Sequence, residues 1–167
     1  MLPADVEKFI GDADVKSSPT YFSVKRMNKW NTSNTAIPFD VSLVNIGQAM
    51  NLTSGVFTAP VAGVYTFAFH GLAEFQVTNS SIPFLAVGLV VNGQRIDVAL
   101  TEESHTIMDN NGKGQRSPLS LMAVTELQKG DRVWMDMFSK LGVISLYDNG
   151  NKHTDFSGWL IRESISP

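Results

Sequence analysis

Three observations predict that this chain folds as an all-β sandwich or barrel of ten short antiparallel strands. From Tyr21 onward, apolar and polar residues alternate in short runs. Gly, Pro and Asn punctuate those runs at regular intervals, and stretches with helical period are hard to find.

Taken in order, residues 1–20 stand apart. Val6, Phe9 and Ile10 form a helix-spaced stripe that stops at Gly11, ahead of the polar "DADVKSSPT". The segment reads as an N-terminal arm or stalk remnant, with 21–167 as one globular domain. It has no Gly-X-Y repeat, and its stripe is too short for a coiled coil. The expected strands are 21–27, 37–44, 55–59, 63–75, 84–91, 95–101, 118–127, 132–139, 142–147 and 154–162. Asn92-Gly93 and Asn149-Gly150 tolerate positive φ at both centres of a type I′ turn. Lys129-Gly130-Asp131 supplies a third tight turn, while Pro60 and Gly63 break and turn the chain before 63–75.

Which strand faces are apolar separates core from contact surface. In 63–69, Tyr65, Phe67 and Phe69 face one way and Val64, Thr66 and Ala68 the other. In 84–91, Leu85, Val87, Leu89 and Val91 fill one face, and Phe84, Ala86, Gly88 and Val90 leave nothing polar on the second. In 132–138, Val133, Met135 and Met137 alternate with Arg132, Trp134, Asp136 and Phe138. A two-layer sandwich buries one face of each sheet, so second faces this apolar predict a subunit interface, unless loops or the arm cover them. Tyr65, Phe67, Phe69, Val87, Leu89, Trp134 and Phe156 are accordingly expected in the core or in a subunit interface.

Composition narrows the function. Charged residues are 17% of the 167 and the net charge is −3, which leaves no basic stripe for nucleic acid and no polycationic segment for membranes. There is no cysteine, so thiol catalysis, disulfides and cysteine zinc sites are excluded. The longest apolar run, "FLAVGLVV", is far short of the roughly 20 residues that span a bilayer, and no leader opens the chain. Sequons at Asn31, Asn51 and Asn79 suit a secreted glycoprotein, although a chain rich in Asn, Ser and Thr also produces such triplets by chance.

The segments "IPFDVSLVNIGQAMNLTSGVFTAPVAGVYTFAFHG", "LAVGLVVNGQRI", "LSLMAVTELQKGDRVWMDM" and "DFSGWLIRE" together resemble the globular-head domain of complement C1q, from about Tyr21 to Glu163. Phe39, Asn45, Gly55, Phe57, Pro60, Gly63, Tyr65, Phe67, Asn92-Gly93, Leu127, Gly130-Asp131, Val133-Trp134, Phe156, Gly158 and Leu160 fall in that family's order. Met50 departs from it, standing where the family usually has tyrosine. The resemblance implies a ten-stranded jelly-roll β-sandwich of the kind shared with tumour necrosis factor ligands, assembling as a homotrimer or heterotrimer. It also implies that the second face of 63–69 approaches neighbouring subunits.

No HExxH, GxSxG or Walker-type loop occurs, and His70, His105 and His153 lie in separate segments without a triad partner, so an enzyme is not expected. The long connection 101–117 carries Glu102, Glu103 and Asp109, oxygen ligands of the kind calcium takes, and relatives that bind calcium draw ligands from this region; a solvated acidic loop is the other reading. His105, Lys113 and Arg116 in the same connection could meet an anionic ligand. Trp30 offers an aromatic platform or else packs beneath its loop, as Trp134 and Trp159 are expected to do. The expected function is a secreted, extracellular recognition module whose trimer binds glycans, microbial surface ligands or proteins through end loops. The alternative is a structural or signalling ligand of cerebellin or adipokine type that engages a receptor or matrix partner.

Overall fold

The computed structural model describes residues 19–76, 81–103 and 115–164. Their regular elements are all strands: β1 (Tyr21–Arg26), β2 (Val41–Ile46), β3 (Met50–Asn51), β4 (Val56–Thr58), β5 (Gly63–Phe75), β6 (Phe84–Val91), β7 (Gln94–Glu102), β8 (Arg116–Leu127), β9 (Arg132–Leu141), β10 (Val143–Leu146) and β11 (Thr154–Glu163). Antiparallel pairing builds two sheets. Sheet A runs β8-β5-β11-β1-β2, with β10 pairing the last turn-ward residues of β5 beyond β11. Sheet B runs β3-β4-β9-β6-β7. The jelly-roll sandwich expected from the sequence is therefore the fold.

Because side chains alternate across a strand, each sheet sends one apolar set inward. Tyr65, Phe67 and Phe69 of β5 are fully buried, as are Phe156, Val87, Leu89, Met135 and Met137. The rings interlock: Phe57 meets Phe67 edge-on at 5.5 Å between centroids, and Phe67 stacks on Phe156 at 5.9 Å. Burying each such ring contributes about 1.5–3 kcal/mol. Gly158 permits this packing, since a Cβ there would sit 2.6 Å from the Phe67 ring and 2.7 Å from Phe22.

Several boundaries differ from the sequence expectation for local reasons. The 37–44 strand begins only at Val41, because Ile37 and Phe39 plug the core while their N–H groups bond Met135 O and Leu52 O. β3 has two residues, too few to show a period. Asn92 and Gly93 take the paired positive φ of a type I′ turn, at 48° and 88°. Asn149-Gly150 does not: Gly150 and Lys152 carry the positive φ, and the loop is instead closed by Asp148, whose carboxylate accepts from the N–H groups of Gly150, Lys152, His153 and Thr154. Gly63 is no turn residue either. It lies where β5 and β11 approach so closely that a Cβ would be 2.4 Å from Arg162 O.

Candidate functional site

The outward face of sheet A is laid down in rows by its register. One row crosses the sheet as Ile46, Tyr21, Trp159, Thr66 and Val124; the next is Val44, Ser23, Ser157, Ala68 and Met122. Met122 is 72% exposed, Val124 62% and Trp159 44%. These are large apolar side chains in one contiguous patch, which a monomer rarely shows to water. Tyr21, Ser157, Trp159 and Ile161 line a groove of about 560 Å³ at its lower end. A third row turns polar: Lys25, Asp155, His70 and Ser120. Asp155 there takes Lys25 Nζ at 3.4 Å and His70 Nδ1 at 3.3 Å.

The outward face of sheet B is different. Arg95 lies across Gly88, donates from Nε and Nη2 to the buried Asp136 at 3.2 and 2.8 Å, and sits 4.3 Å above the Phe138 ring. Ala86 and Val90 are buried within the subunit. The second apolar face of 84–91 is thus covered by the chain's own side chains, and the exposed apolar residues on this side of the sheet stand instead on the edge strand β7, at Val98 and Leu100. Among the core-or-interface residues, Tyr65, Phe67, Phe69, Val87, Leu89 and Phe156 are core, and Trp134 is half-buried on this outer face beside Val90.

At the end of the sandwich remote from the Tyr21–Trp159 groove, Glu74 is buried and accepts from Lys29 Nζ at 2.7 Å and Arg116 Nη2 at 3.1 Å. Burial alone would raise its pKa, but the bonds from Lys29 and Arg116 overcome that and hold it below the ordinary value. Arg116 also stacks 3.6 Å from the Tyr147 ring. Its charge is committed to the fold.

Trp30 packs against the core, bridged to Leu146 through both backbone groups and covered by Arg26 at 4.8 Å. Trp159, expected to pack, stands open. Glu102 is exposed at the end of β7, and Glu103 accepts from Ser117 Oγ at 3.2 Å. His105, Asp109, Lys113 and Asn79 lie outside the described residues. Among the described residues no three His, Cys, Asp or Glu side chains gather as a metal site. The sequence reasoning missed Met122 and Val124, although a signal was present: in "LSLMAVTEL" both alternate sets carry large apolar residues, with Met122 and Val124 flanked by Ser120 and Glu126 in the second.

Comparison with known proteins bears on this geometry. Residues 21–161 match the C1q domain family. The chain is 27% identical over 143 residues to complement C1q tumor necrosis factor-related protein 3 of Mus musculus, covering 86% of this chain and 51% of that protein. It is 32% identical over 125 residues to the collagen alpha-1(X) chain of Mus musculus, covering 75% of this chain and 16% of the collagen. The chain thus spans about half the length of the first relative and far less of the second. In structure it resembles the globular domain of zebrafish complement 1qA (TM-score 0.63, 24% identity, 87% of this chain and 99% of that one). It also resembles the Eiger TNF of S. frugiperda (TM-score 0.67, 8% identity, 90% and 98%). Both structural likenesses speak to the fold.

Proposed function

The chain belongs to the C1q domain family, and on that premise we propose that it is a secreted, non-catalytic recognition module. Three like chains assemble, and the trimer binds glycans, microbial surface ligands or proteins through its end loops. The observation that carries the reading is the open apolar face of sheet A, centred on Trp159, Val124 and Met122. A second apolar strip, Ile96, Val98 and Leu100, is exposed on the edge strand β7 of the other sheet. Two unlike apolar surfaces on one chain favour head-to-tail contacts, and such contacts close into a ring when the rotation allows. Three sites held together bind multivalently, so each can be weak.

Calcium enters this proposal through Glu102 and Glu103 together with Asp109, as carboxylate ligands. A second reading, a structural or signalling ligand for a receptor or matrix partner, is favoured by the likeness to a collagen chain and to a C1q/TNF-related protein. Light scattering after size exclusion, with calcium and again with EDTA, tests the assembly. Three chains per particle are expected, and a monomer in both buffers overturns it. Glu102→Gln with Glu103→Gln is expected to abolish any calcium-dependent rise in Tm; an unchanged rise places the ion elsewhere. Binding on a glycan array separates the first reading from the second, which expects capture only by a protein partner.

A further inference from the structure

The groove beside Trp159 and the hollow around His70 both open on the face that assembly would cover. Another cleft, of about 350 Å³, lies on the outward side of sheet B, lined by Asn34, Thr35, Ala36, Val56, Arg132 and Trp134. That is near the low end of the range for small-molecule sites, roughly 300–1,000 Å³. Its floor is the half-buried Trp134 indole, held by register against the buried Val90. Its rim presents the Asn34 amide, the Thr35 hydroxyl and the Arg132 guanidinium. Arg95 Nη2 donates to Asn34 Oδ1 at 3.1 Å, which fixes the amide so that Asn34 Nδ2 is left to donate. Positive φ at Asn34, 58°, and its N–H bond to Met137 O hold it there. Arg95 is neutralised by Asp136, and the carboxylate of Asp131 already accepts from Asn92 and Gln128. Arg132 differs from Arg26, Arg95 and Arg116, which are bonded to protein oxygens. Its guanidinium, exposed and standing over the Trp134 ring at 6.0 Å from the centroid, meets no acceptor oxygen among the described residues.

The geometry points to a subsite for a carboxylate-bearing sugar on the outer face of sheet B. The pyranose C–H face packs on Trp134 beside Arg132, hydroxyl oxygens accept from Asn34 and Thr35, and the carboxylate takes the Arg132 guanidinium in a two-pronged pair. A neutral sugar leaves Arg132 unused. This deepens the recognition reading, and rests on it for the ligand class, while locating the sugar away from the end loops.

The test is a titration of the whole chain with methyl glucuronide and methyl glucoside, followed through the indole N–H resonances of its three tryptophans. Variants Trp134→Phe and Arg132→Gln provide the assignment and the control. The glucuronide is expected to bind about tenfold more tightly or better, as a charge-assisted pair allows, and to shift the Trp134 resonance. Arg132→Gln is expected to bring the two sugars level with Tm unchanged. Equal binding by the unaltered chain, no binding of either sugar, or a preference that survives Arg132→Gln overturns the subsite. Array glycans that are retained by Arg132→Gln would defeat the subsite and leave glycan recognition standing; an empty array would defeat glycan recognition itself.

Discussion

Strands β6 and β8, one in each sheet, start from similar sequence and end with their outward faces in opposite states. Strands β6 and β8 both carry apolar residues at odd and even positions. On β6 the second set is sealed, because Gly88 leaves room for Arg95 to lie flat and reach Asp136. On β8 the second set, Met122 and Val124, is open, and its neighbours across the sheet are Ala68, Thr66 and Trp159. The second face of a doubly apolar strand is therefore left open only when no long polar side chain from the next strand spans it. Arginine is suited to that spanning role, with an apolar stem for the strand and a forked head for a carboxylate.

The comparison can be broken most severely from beneath, where both sheets share one core. Phe67→Asp puts an unpaired charge among the rings of Phe57, Tyr65 and Phe156, and a loss of about 4 kcal/mol or more is expected, enough to unfold the chain. A soluble product with normal Tm would refute the packing described. Arg95→Met keeps the stem over Gly88 but strands the buried Asp136, at a cost of about 3 kcal/mol; urea denaturation measures it, and a loss below half a kilocalorie would show that the pair does not seal sheet B.

Glu74 sharpens the contrast through pH. Its pKa is lowered in the fold, so its contribution is present above the unfolded carboxylate value, about 4.3, and is lost as pH falls through the lower folded value. Glu74→Gln is expected to cost about 1–2 kcal/mol at pH 7, since Lys29 and Arg116 keep much of their side chains in water. The variant should also flatten the acid limb of the stability curve; parallel curves would assign that limb to other carboxylates. Least costly to the subunit is Met122→Lys with Val124→Lys, within about 0.5 kcal/mol because both are exposed. The same pair is expected to reduce the particle seen by light scattering to a single chain, and an unchanged mass would show that the sheet A face is not the contact.

The strands of this protein were legible because burial on a sheet imposes period two and turns demand particular residues. The limits of 63–75 and 84–91 and the Asn92-Gly93 turn follow directly from those rules. Phe67 and its neighbours could be assigned to core or interface from sequence, but not to one of the two. The loop after Asp148 was misread because its closure depends on one carboxylate collecting four N–H groups, a three-dimensional arrangement with no local signature. The open Trp159, the sealed Val90 and the placing of Arg132 over Trp134 were likewise decided only in the folded chain. Apolar character and periodicity belong to a strand by itself. Which apolar face is covered, and which charge is left without a partner, depends on what neighbouring strands bring within a few ångströms, and register and tertiary packing set that.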